Sequence, residues 1–175
     1  MTLEADILNW DGKSAPDIKA IYRAHSGGDG FVRALMSLSE KPNCQSAATW
    51  LLKHHIEKTR QAPPAVLVAR LLKLTSDMPS WEARLHVLQM FDALTFTGAM
   101  VHDAFQFACD STEDDNTFVR AWGYYGLAVI AAAHPHHRTE ARKRLEYGMA
   151  RETRASAKVR LRKAFALIGD DESTL

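Results

Sequence analysis

Histidine is the residue type in this chain best suited to hold a metal ion, and it forms two clusters. One is the tract His-Pro-His-His at 134–137, and the other is the adjacent pair His54 and His55. The tract falls at a corner between predicted helices, without Cys or acidic partners at the spacing that clear zinc sites show. Adjacent helical residues point about 100° apart, so His54 and His55 cannot chelate one ion from one face. The sequence therefore predicts no metal site.

Catalytic motifs are a second source of chemistry, and none is recognisable here. The sequence contains no Gly-x-Ser-x-Gly, no His-Glu-x-x-His and no phosphate-binding Gly-x-x-x-x-Gly-Lys motif. Gly27, Gly28 and Gly30 join two predicted helices and lack the preceding strand that a dinucleotide site requires. We predict no catalytic residue and no cofactor, and the sequence leaves open whether the protein is an enzyme.

Basic side chains crowd the carboxy-terminal part of the chain. Residues 138–163 carry ten of them: Arg138, Arg142, Lys143, Arg144, Arg151, Arg154, Lys158, Arg160, Arg162 and Lys163. Such a stripe can bind a nucleic-acid backbone by releasing counterions. The predicted nucleic-acid contacts are Arg142, Lys143, Arg144, Arg151 and Arg154. A net charge of +1, a pI near 7.9 and the acidic segment 110–115 argue against this function. A solvated cap at the end of the fold explains the same residues.

Composition places the chain among ordinary globular proteins. It has 175 residues, 46% of them hydrophobic and 25% charged, enough for one domain with its own core. Cys44 and Cys109 lie far apart, and we expect buried thiols in a reducing compartment; the alternative, a disulfide, has no positive support in the sequence. The amino terminus has no basic residue before Lys13, unlike a secretory signal, and no apolar run approaches membrane-spanning length. We therefore expect a soluble, cytoplasmic protein without a membrane partner.

Helical spacing of apolar residues runs through the whole chain, and no strand pattern competes with it. Prolines, glycines and capping residues mark the boundaries. The pattern predicts two amino-terminal helices and four helix pairs: 3–10 and 16–25, then 30–39 with 43–58, 64–75 with 79–95, 97–109 with 115–133, and 136–149 with 154–168. We expect Gly169 to end the last helix and residues 170–175 to form a flexible tail.

The second helix of each pair shares one pattern. When Thr49, Arg84, Arg120 and Arg160 are aligned, the intervals are 35, 36 and 40 residues, which is typical of stacked repeats. Positions −1, +3 and +7 from this column share one helix face, which is predicted to be buried. The residues on this face are Ala48, Leu52, Ile56, Ala83, Val87, Phe91, Val119, Gly123, Leu127, Val159, Lys163 and Leu167. The polar Lys163 fits a terminal repeat, whose outer surface is more polar.

The segment Val119-Arg120-x-x-Gly123-x-x-Gly126-Leu127-Ala128 resembles the second helix of a HEAT repeat, whose pattern is Val-Arg-x-x-Ala-x-x-Ala-Leu-Gly. The helices that contain Arg160 and Arg84 match more loosely, and the first pair has Thr49 in place of the arginine. The resemblance implies an all-α fold, a right-handed α-α superhelix of about four HEAT-like helix pairs plus one or two amino-terminal helices. It implies one domain over 1–175: amino-terminal helices in 1–29, repeats in 30–169 and the tail in 170–175.

In HEAT-like solenoids the second helices line a concave surface, which residues two and five positions after the arginine column would face. Such families include protein-interaction scaffolds and, more distantly, DNA-alkylation-repair glycosylases, whose catalytic residues have no counterpart that we can place here. The resemblance implies a protein- or peptide-binding scaffold, with nucleic-acid binding or a DNA-alkylation-repair-like role as the alternative. The expected groove residues are Trp122, Tyr125, His86, Gln89, Arg162 and His54. Trp122 and Tyr125 would be its central contacts, unless they pack against a neighbouring repeat.

The arginines of the aligned column also have a structural interpretation. In HEAT-like stacks this arginine usually joins a ladder with acids from the inter-helix turns. Suitable acids are Asp77, Asp114, Asp115 and Glu152. Arginine suits bidentate pairing with a carboxylate well, and lysine does not. Self-association through an apolar face of the terminal helix is a further interpretation, so the oligomeric state stays open.

Overall fold

The computed structural model describes residues 1–169, and all regular secondary structure in this range is helical. The all-α prediction is therefore confirmed. Backbone contacts divide the chain into two compact units, one within 1–95 and one within 96–175. The right-handed superhelix and the single continuous domain stay predictions. The tail expected at 170–175 lies outside the described residues.

The first unit is built around its fourth helix. Its elements are α1 (Leu3–Asn9), α2 (Ala15–His25), α3 (Phe31–Ser39), α4 (Pro42–Thr59), α5 (Ala65–Leu74), a 3-10 turn (Thr75–Asp77), α6 (Trp81–Met90) and a second 3-10 turn (Phe91–Ala93). Helices α1, α2, α3 and α6 all pack against α4, and Leu35, Leu51, Leu52 and Val87 are fully buried in this unit. Helix α5 packs chiefly on α3. The predicted close packing of α5 against α6 is therefore not found among the main helix contacts of this unit.

Polar caps and a proline begin several of these helices. Thr2, Ser14 and Ser80 each accept a backbone N–H from the first turn of α1, α2 and α6. Pro42 opens α4, where its missing N–H would have had no helical partner. Gly30 precedes α3 with a φ of 86°, in the left-handed region that favours glycine. These local signals explain why the observed α-helices begin and end within two residues of the predicted limits, except at the end of α6.

The second unit is built around its longest helix, α8. Its elements are α7 (Ala99–Ser111), α8 (Thr117–Ala133), a 3-10 turn (Pro135–His137), α9 (Arg138–Arg151) and α10 (Ala155–Ile168). Helices α7, α9 and α10 all pack against α8, whose Val119, Leu127 and Ile130 are fully buried. Asn116 caps α8 by accepting the backbone N–H groups of the first turn, and Gly169 ends α10 as predicted.

Two glycines let helices of the second unit approach closely. A Cβ atom on Gly123 of α8 would lie 2.9 Å from the backbone carbon of Ser111 at the end of α7. A Cβ atom on Gly148 of α9 would lie 2.5 Å from Cε1 of Tyr124 on α8. Real Cβ atoms essentially never lie this close to a neighbour, so a larger residue at either position would have to displace the facing atoms.

The predicted buried face is confirmed in α4, α6 and α8 but is wrong in α10. Val159 is 48% exposed and Leu167 is 41% exposed, although both were placed in the core. The buried residues of α10 are instead Ala157, Leu161, Ala164 and Ile168. These positions also have the helical spacing of a core face, and they contain no charged residue. The helix is therefore rotated from the predicted orientation, and the arginine column does not extend into it.

Candidate recognition surface on the second unit

One face of α8 carries large side chains that are not fully buried. Phe118, Trp122, Tyr125 and Val129 follow the i, i+4, i+7, i+11 spacing of a single helix face, and we name them the α8 stripe. Phe118 is 55% exposed, and the other three are half-buried. The rings of Trp122 and Tyr125 meet edge to face, with centroids 5.7 Å apart and an interplanar angle of 85°. The stripe thus combines fixed ring geometry with accessible apolar surface.

A buried ion pair holds the base of α8 in place. Nε of Arg120 donates to Oε1 of Glu152 at 2.6 Å, and its Nη1 donates to the backbone carbonyls of Asp114 and Asp115 at 2.9 Å. The Tyr124 hydroxyl donates to the same Glu152 oxygen at 3.3 Å. The hydrogen bond from Arg120 lowers the pKa of Glu152, and burial raises the pKa of Tyr124 to about 12. The predicted pairing of the arginine column with turn acids is therefore confirmed for Arg120, whose role here is structural.

Arg160 of α10 lies over the ring of Trp122 and close to that of Tyr125. Its guanidinium carbon is 3.7 Å from the centroid of the Trp122 ring and 5.3 Å from that of Tyr125. Both distances are within the range of a cation–π interaction, which attracts the cation to the negative face of the ring. Helix α10 therefore contributes a cation, and α8 contributes the rings.

Arg160 rather than Arg162 is the arginine that meets Trp122. The sequence placed Arg160 in the structural column and Arg162 in the groove, and the rotation of α10 reverses these positions. Arg162 is exposed and points about 200° away from Arg160 around the helix. A sequence signal for the correct orientation existed: positions 157, 161, 164 and 168 are all apolar, whereas the chosen stripe contained Lys163. The prediction followed the Val-Arg motif at 159–160 instead of this apolar spacing.

The surroundings of the aromatic pair are basic. Helix α10 contains Lys158, Arg160, Arg162 and Lys163, and neither α8 nor α10 contains an acidic residue. Lys163 is exposed and follows Arg160 by three residues, so it lies on the same flank of α10. The one arginine of α8, Arg120, is paired with Glu152. The two helices together therefore carry a net positive charge.

The other predicted groove residues belong to the first unit and take part in its internal packing. The His54 ring stacks on Trp50 with centroids 4.8 Å apart, and Tyr22 meets it edge to face at 4.7 Å. Nδ1 of His86 lies 3.1 Å from Oγ1 of Thr49, and burial lowers the pKa of His86 to about 4. Both histidines therefore link helices within the unit. The sequence could not reveal these partners, because they come from distant segments.

Gln89, the third groove residue of the first unit, lines a cleft between the ends of α4 and α6. The cleft has a volume of about 390 Å³. Its charged lining residues are Lys53, Glu57, Arg60 and Asp92. Lys53 and Glu57 already pair with each other at 3.0 Å. The cleft therefore offers no excess charge of either sign to a ligand.

The predicted nucleic-acid contacts are largely engaged within the second unit. Nε of Arg144 donates to Glu140 at 2.9 Å, and Nη1 of Arg151 donates to Glu113 at 2.7 Å. Arg142 donates to the backbone carbonyl of Gly169. Lys143 and Arg154 are exposed. The carboxylates beside Arg144 and Arg151 reduce the positive potential that a phosphate backbone would meet.

The histidine tract forms the turn between α8 and α9, and the two cysteines lie in α4 and α7. His137 stacks on Phe105 with ring centroids 4.1 Å apart, which places it in a packed corner. Within residues 1–169, no three His, Cys, Asp or Glu side chains converge in a way that could hold a metal ion. Cys44 and Cys109 are free and buried, as the sequence predicts.

Comparisons with known proteins identify no relative of this chain: no family model, curated protein or solved structure matches it. Within the described residues, no helix is both long enough and apolar enough to cross a lipid bilayer. The functional argument therefore rests on the chemistry of the α8 stripe and its surroundings.

Proposed function

We propose that this chain is a protein- or peptide-binding module that uses the α8 stripe and the adjoining flank of α10. In a HEAT-like solenoid, which the Val-Arg-x-x-small pattern of α8 suggests, these two helices would be second helices of consecutive pairs. They would then line the concave face. The observation that carries the proposal is the half-buried Trp122–Tyr125 pair next to the exposed Phe118.

The residue types and their fixed geometry support this function. Binding energy at protein interfaces concentrates in a few Trp, Tyr and Arg side chains that sit in well-packed surroundings. All three types meet at the α8 stripe, since Arg160 covers one side of Trp122. Rings held by their neighbours lose little conformational entropy when a partner binds. The surface is thereby preorganised for a partner.

A peptide-library selection against the full chain tests this proposal. Peptides selected on the unmodified protein are then measured on Trp122→Ala and on Tyr147→Ala, the matched control. Tyr147 is 60% exposed, belongs to the same unit and also has an arginine over its ring, with Cζ of Arg151 at 4.9 Å. We expect Trp122→Ala to raise Kd at least roughly tenfold and Tyr147→Ala to leave it unchanged.

Thermal unfolding separates a recognition role from a core role. A half-buried ring that serves recognition can be removed with a modest loss of Tm, whereas a core ring cannot. Equal affinity of the selected peptides for Trp122→Ala and the unmodified chain would refute the proposal. An equal loss of affinity in Tyr147→Ala would refute it too, because binding would then not depend on this surface.

Nucleic-acid binding is the second candidate, and it is favoured by the exposure of Lys143 and Arg154 beside the basic helix α10. A phosphate contact predicts affinity for duplex DNA that falls steeply with salt. Changing Lys143 and Arg154 together to Glu should then abolish retention on DNA at low salt. Retention that ignores salt, or that survives the double change, would rule out this function.

A further inference from the structure

Arg160 has a well-defined position but no hydrogen-bond acceptor from the described chain. Its guanidinium carbon rests over Trp122 and Tyr125, and these ring contacts are its only interactions within residues 1–169. Arginine carries five N–H donors. Its side chain is nevertheless half-buried, so water covers only part of it. Its donors are therefore available to an acceptor that the described chain does not supply.

The ring contacts leave the N–H donors of Arg160 available, because no acceptor within residues 1–169 pairs with them. A guanidinium that lies flat on a ring uses its face for the cation–π contact and keeps its edge free. The N–H groups along that edge match the two oxygens of a carboxylate, with which they form a bidentate pair. The Trp122 ring therefore acts as a platform on which the guanidinium is held.

A second arginine in the same unit provides an internal comparison. Arg151 also lies over an aromatic ring, that of Tyr147, with its Cζ 4.9 Å from the ring centroid. Unlike Arg160, it donates to a carboxylate of the same chain, Glu113, at 2.7 Å. The arrangement of ring, guanidinium and carboxylate is therefore complete at Arg151. At Arg160 the described chain supplies the ring and the guanidinium but not the carboxylate.

Charge around Arg160 indicates the sign of the missing group. Neither α8 nor α10 contains an acidic residue, and the exposed Lys163 lies on the same flank of α10 as Arg160. A cationic partner would be repelled here, whereas an acidic one would be attracted. The half-buried Trp122 and Tyr125 add apolar surface beside the cation.

We propose that Arg160 is the anchor for a carboxylate of the bound partner, and that this partner is an acidic peptide segment with apolar residues next to the acid. This inference rests on the proposed function and names the chemistry of its partner. The carboxylate pairs with the edge of the Arg160 guanidinium, and the apolar neighbour covers the exposed part of the α8 stripe. Lys163 provides longer-range attraction.

Fluorescence anisotropy with a designed probe tests this assignment. The probe is a fluorescein-labelled peptide of alternating Glu and Leu residues with an amidated carboxyl terminus. In a second peptide each Glu is replaced by Gln and the amide is kept. A third peptide has the same Gln–Leu sequence as the second but a free carboxyl terminus. Binding of the first identifies a side-chain carboxylate, and binding of the third alone identifies a chain terminus; either result supports a carboxylate site. Equal binding of all three would overturn it.

Variants of α10 supply the matched comparison. Arg160→Lys keeps the charge but loses the flat, two-point geometry, so its Kd should rise roughly tenfold. Arg162→Lys changes the same residue type in the same helix on a different face, and its Kd should stay unchanged. Equal weakening by both variants would mean unspecific attraction and would overturn the assignment.

Direct observation of Arg160 in the unmodified chain avoids any effect of the variants on folding. Its Nε–H resonance, assigned by its loss in Arg160→Lys, should shift when the Glu–Leu peptide is added and stay in place with the amidated Gln peptide. If the Nε–H resonance does not shift with the Glu–Leu peptide, Arg160 is not the carboxylate anchor. Library-selected peptides that need Trp122 but tolerate Arg160→Lys would leave the proposed function intact and reject only the carboxylate anchor.

Discussion

Arg120 and Glu152 form a two-point ion pair inside the second unit, with Nε to Oε1 at 2.6 Å and Nη2 to Oε2 at 3.3 Å. The Glu152 side chain is only 4% exposed, and it joins the turn before α10 to the base of α8. The pair therefore fixes the position of the two helices that carry Trp122 and Arg160. Its loss should disturb the recognition surface through the fold.

Changing Glu152 to Gln should destabilise the second unit. The variant leaves the guanidinium of Arg120 half-buried without its counter-charge, which costs about 3 kcal/mol of the free energy of unfolding. Urea unfolding of the full chain measures this loss. Glu146→Gln, an exposed change on α9, serves as the control and should stay within about 0.5 kcal/mol. Equal stability of the Glu152→Gln variant and the unmodified chain would show that the pair contributes nothing.

The contribution of Glu152 should also depend on pH in a defined direction. Its pKa in the folded protein is lowered below the ordinary value of 4.5, chiefly by the hydrogen bond from Arg120. The stabilisation is therefore complete above pH 4.5 and is lost as the pH falls through the lower, folded-state pKa. The difference in unfolding free energy between the unmodified chain and Glu152→Gln should shrink in that acidic range. A difference that grows on acidification would contradict this sign.

Changing Gly148 to Ala should strain the contact between α8 and α9. The added carbon would lie 2.5 Å from Cε1 and 2.6 Å from Cζ of Tyr124, whose ring is fully buried. Overpacking of this kind costs about 2–3 kcal/mol. Gly27→Ala is the control, because nothing lies within 4 Å of a Cβ there. Thermal unfolding should show a clear loss of Tm for Gly148→Ala alone; similar Tm values for the two variants would mean that the helices separate without cost.

His86 should make the first unit less stable under mild acid. Its pKa falls from the usual 6.5 to about 4 because burial disfavours the imidazolium. The folded state thus binds fewer protons than the unfolded state between these values. Its contribution is present above pH 6.5 and is lost as the pH approaches 4, by about 3 kcal/mol in total.

His86→Gln should flatten this part of the pH dependence. His136→Gln, at an exposed position of the second unit, should leave it unchanged. An NMR titration of the His86 ring gives the direct value of its pKa. A titration midpoint near 6.5 would show that the ring is as hydrated as in an unfolded chain.

Local chemistry explains how much of the fold could be predicted from the sequence. Ser14, Ser80 and Asn116 are caps whose signal lies within four residues, and Pro42 marks a helix start in the same way. The limits of the helices followed from such signals. The orientation of α10 did not, because the motif at 159–160 was aligned with 119–120 although the apolar residues of the two helices are in a different register.

The candidate site was predicted only in part, since its decisive contacts join distant segments. The aromatic pair of Trp122 and Tyr125 follows from helical spacing, and the sequence placed both on one surface. The guanidinium over Trp122 comes from a residue 38 positions away, at 160. Likewise, the packing of His54 on Tyr22 depends on the approach of α2 to α4, which no local pattern reveals.

An NMR footprint of the Glu–Leu peptide on the uniformly ¹⁵N-labelled chain tests recognition by the α8 stripe and Arg160 most directly. The indole N–H of Trp122, the Nε–H of Arg160 and the backbone amides of α8 and α10 should shift on addition of peptide. The indole N–H groups of Trp10, Trp50 and Trp81 should keep their positions. Shifts centred on α9 or on the first unit, with the Trp122 signal unchanged, would contradict the proposed recognition surface.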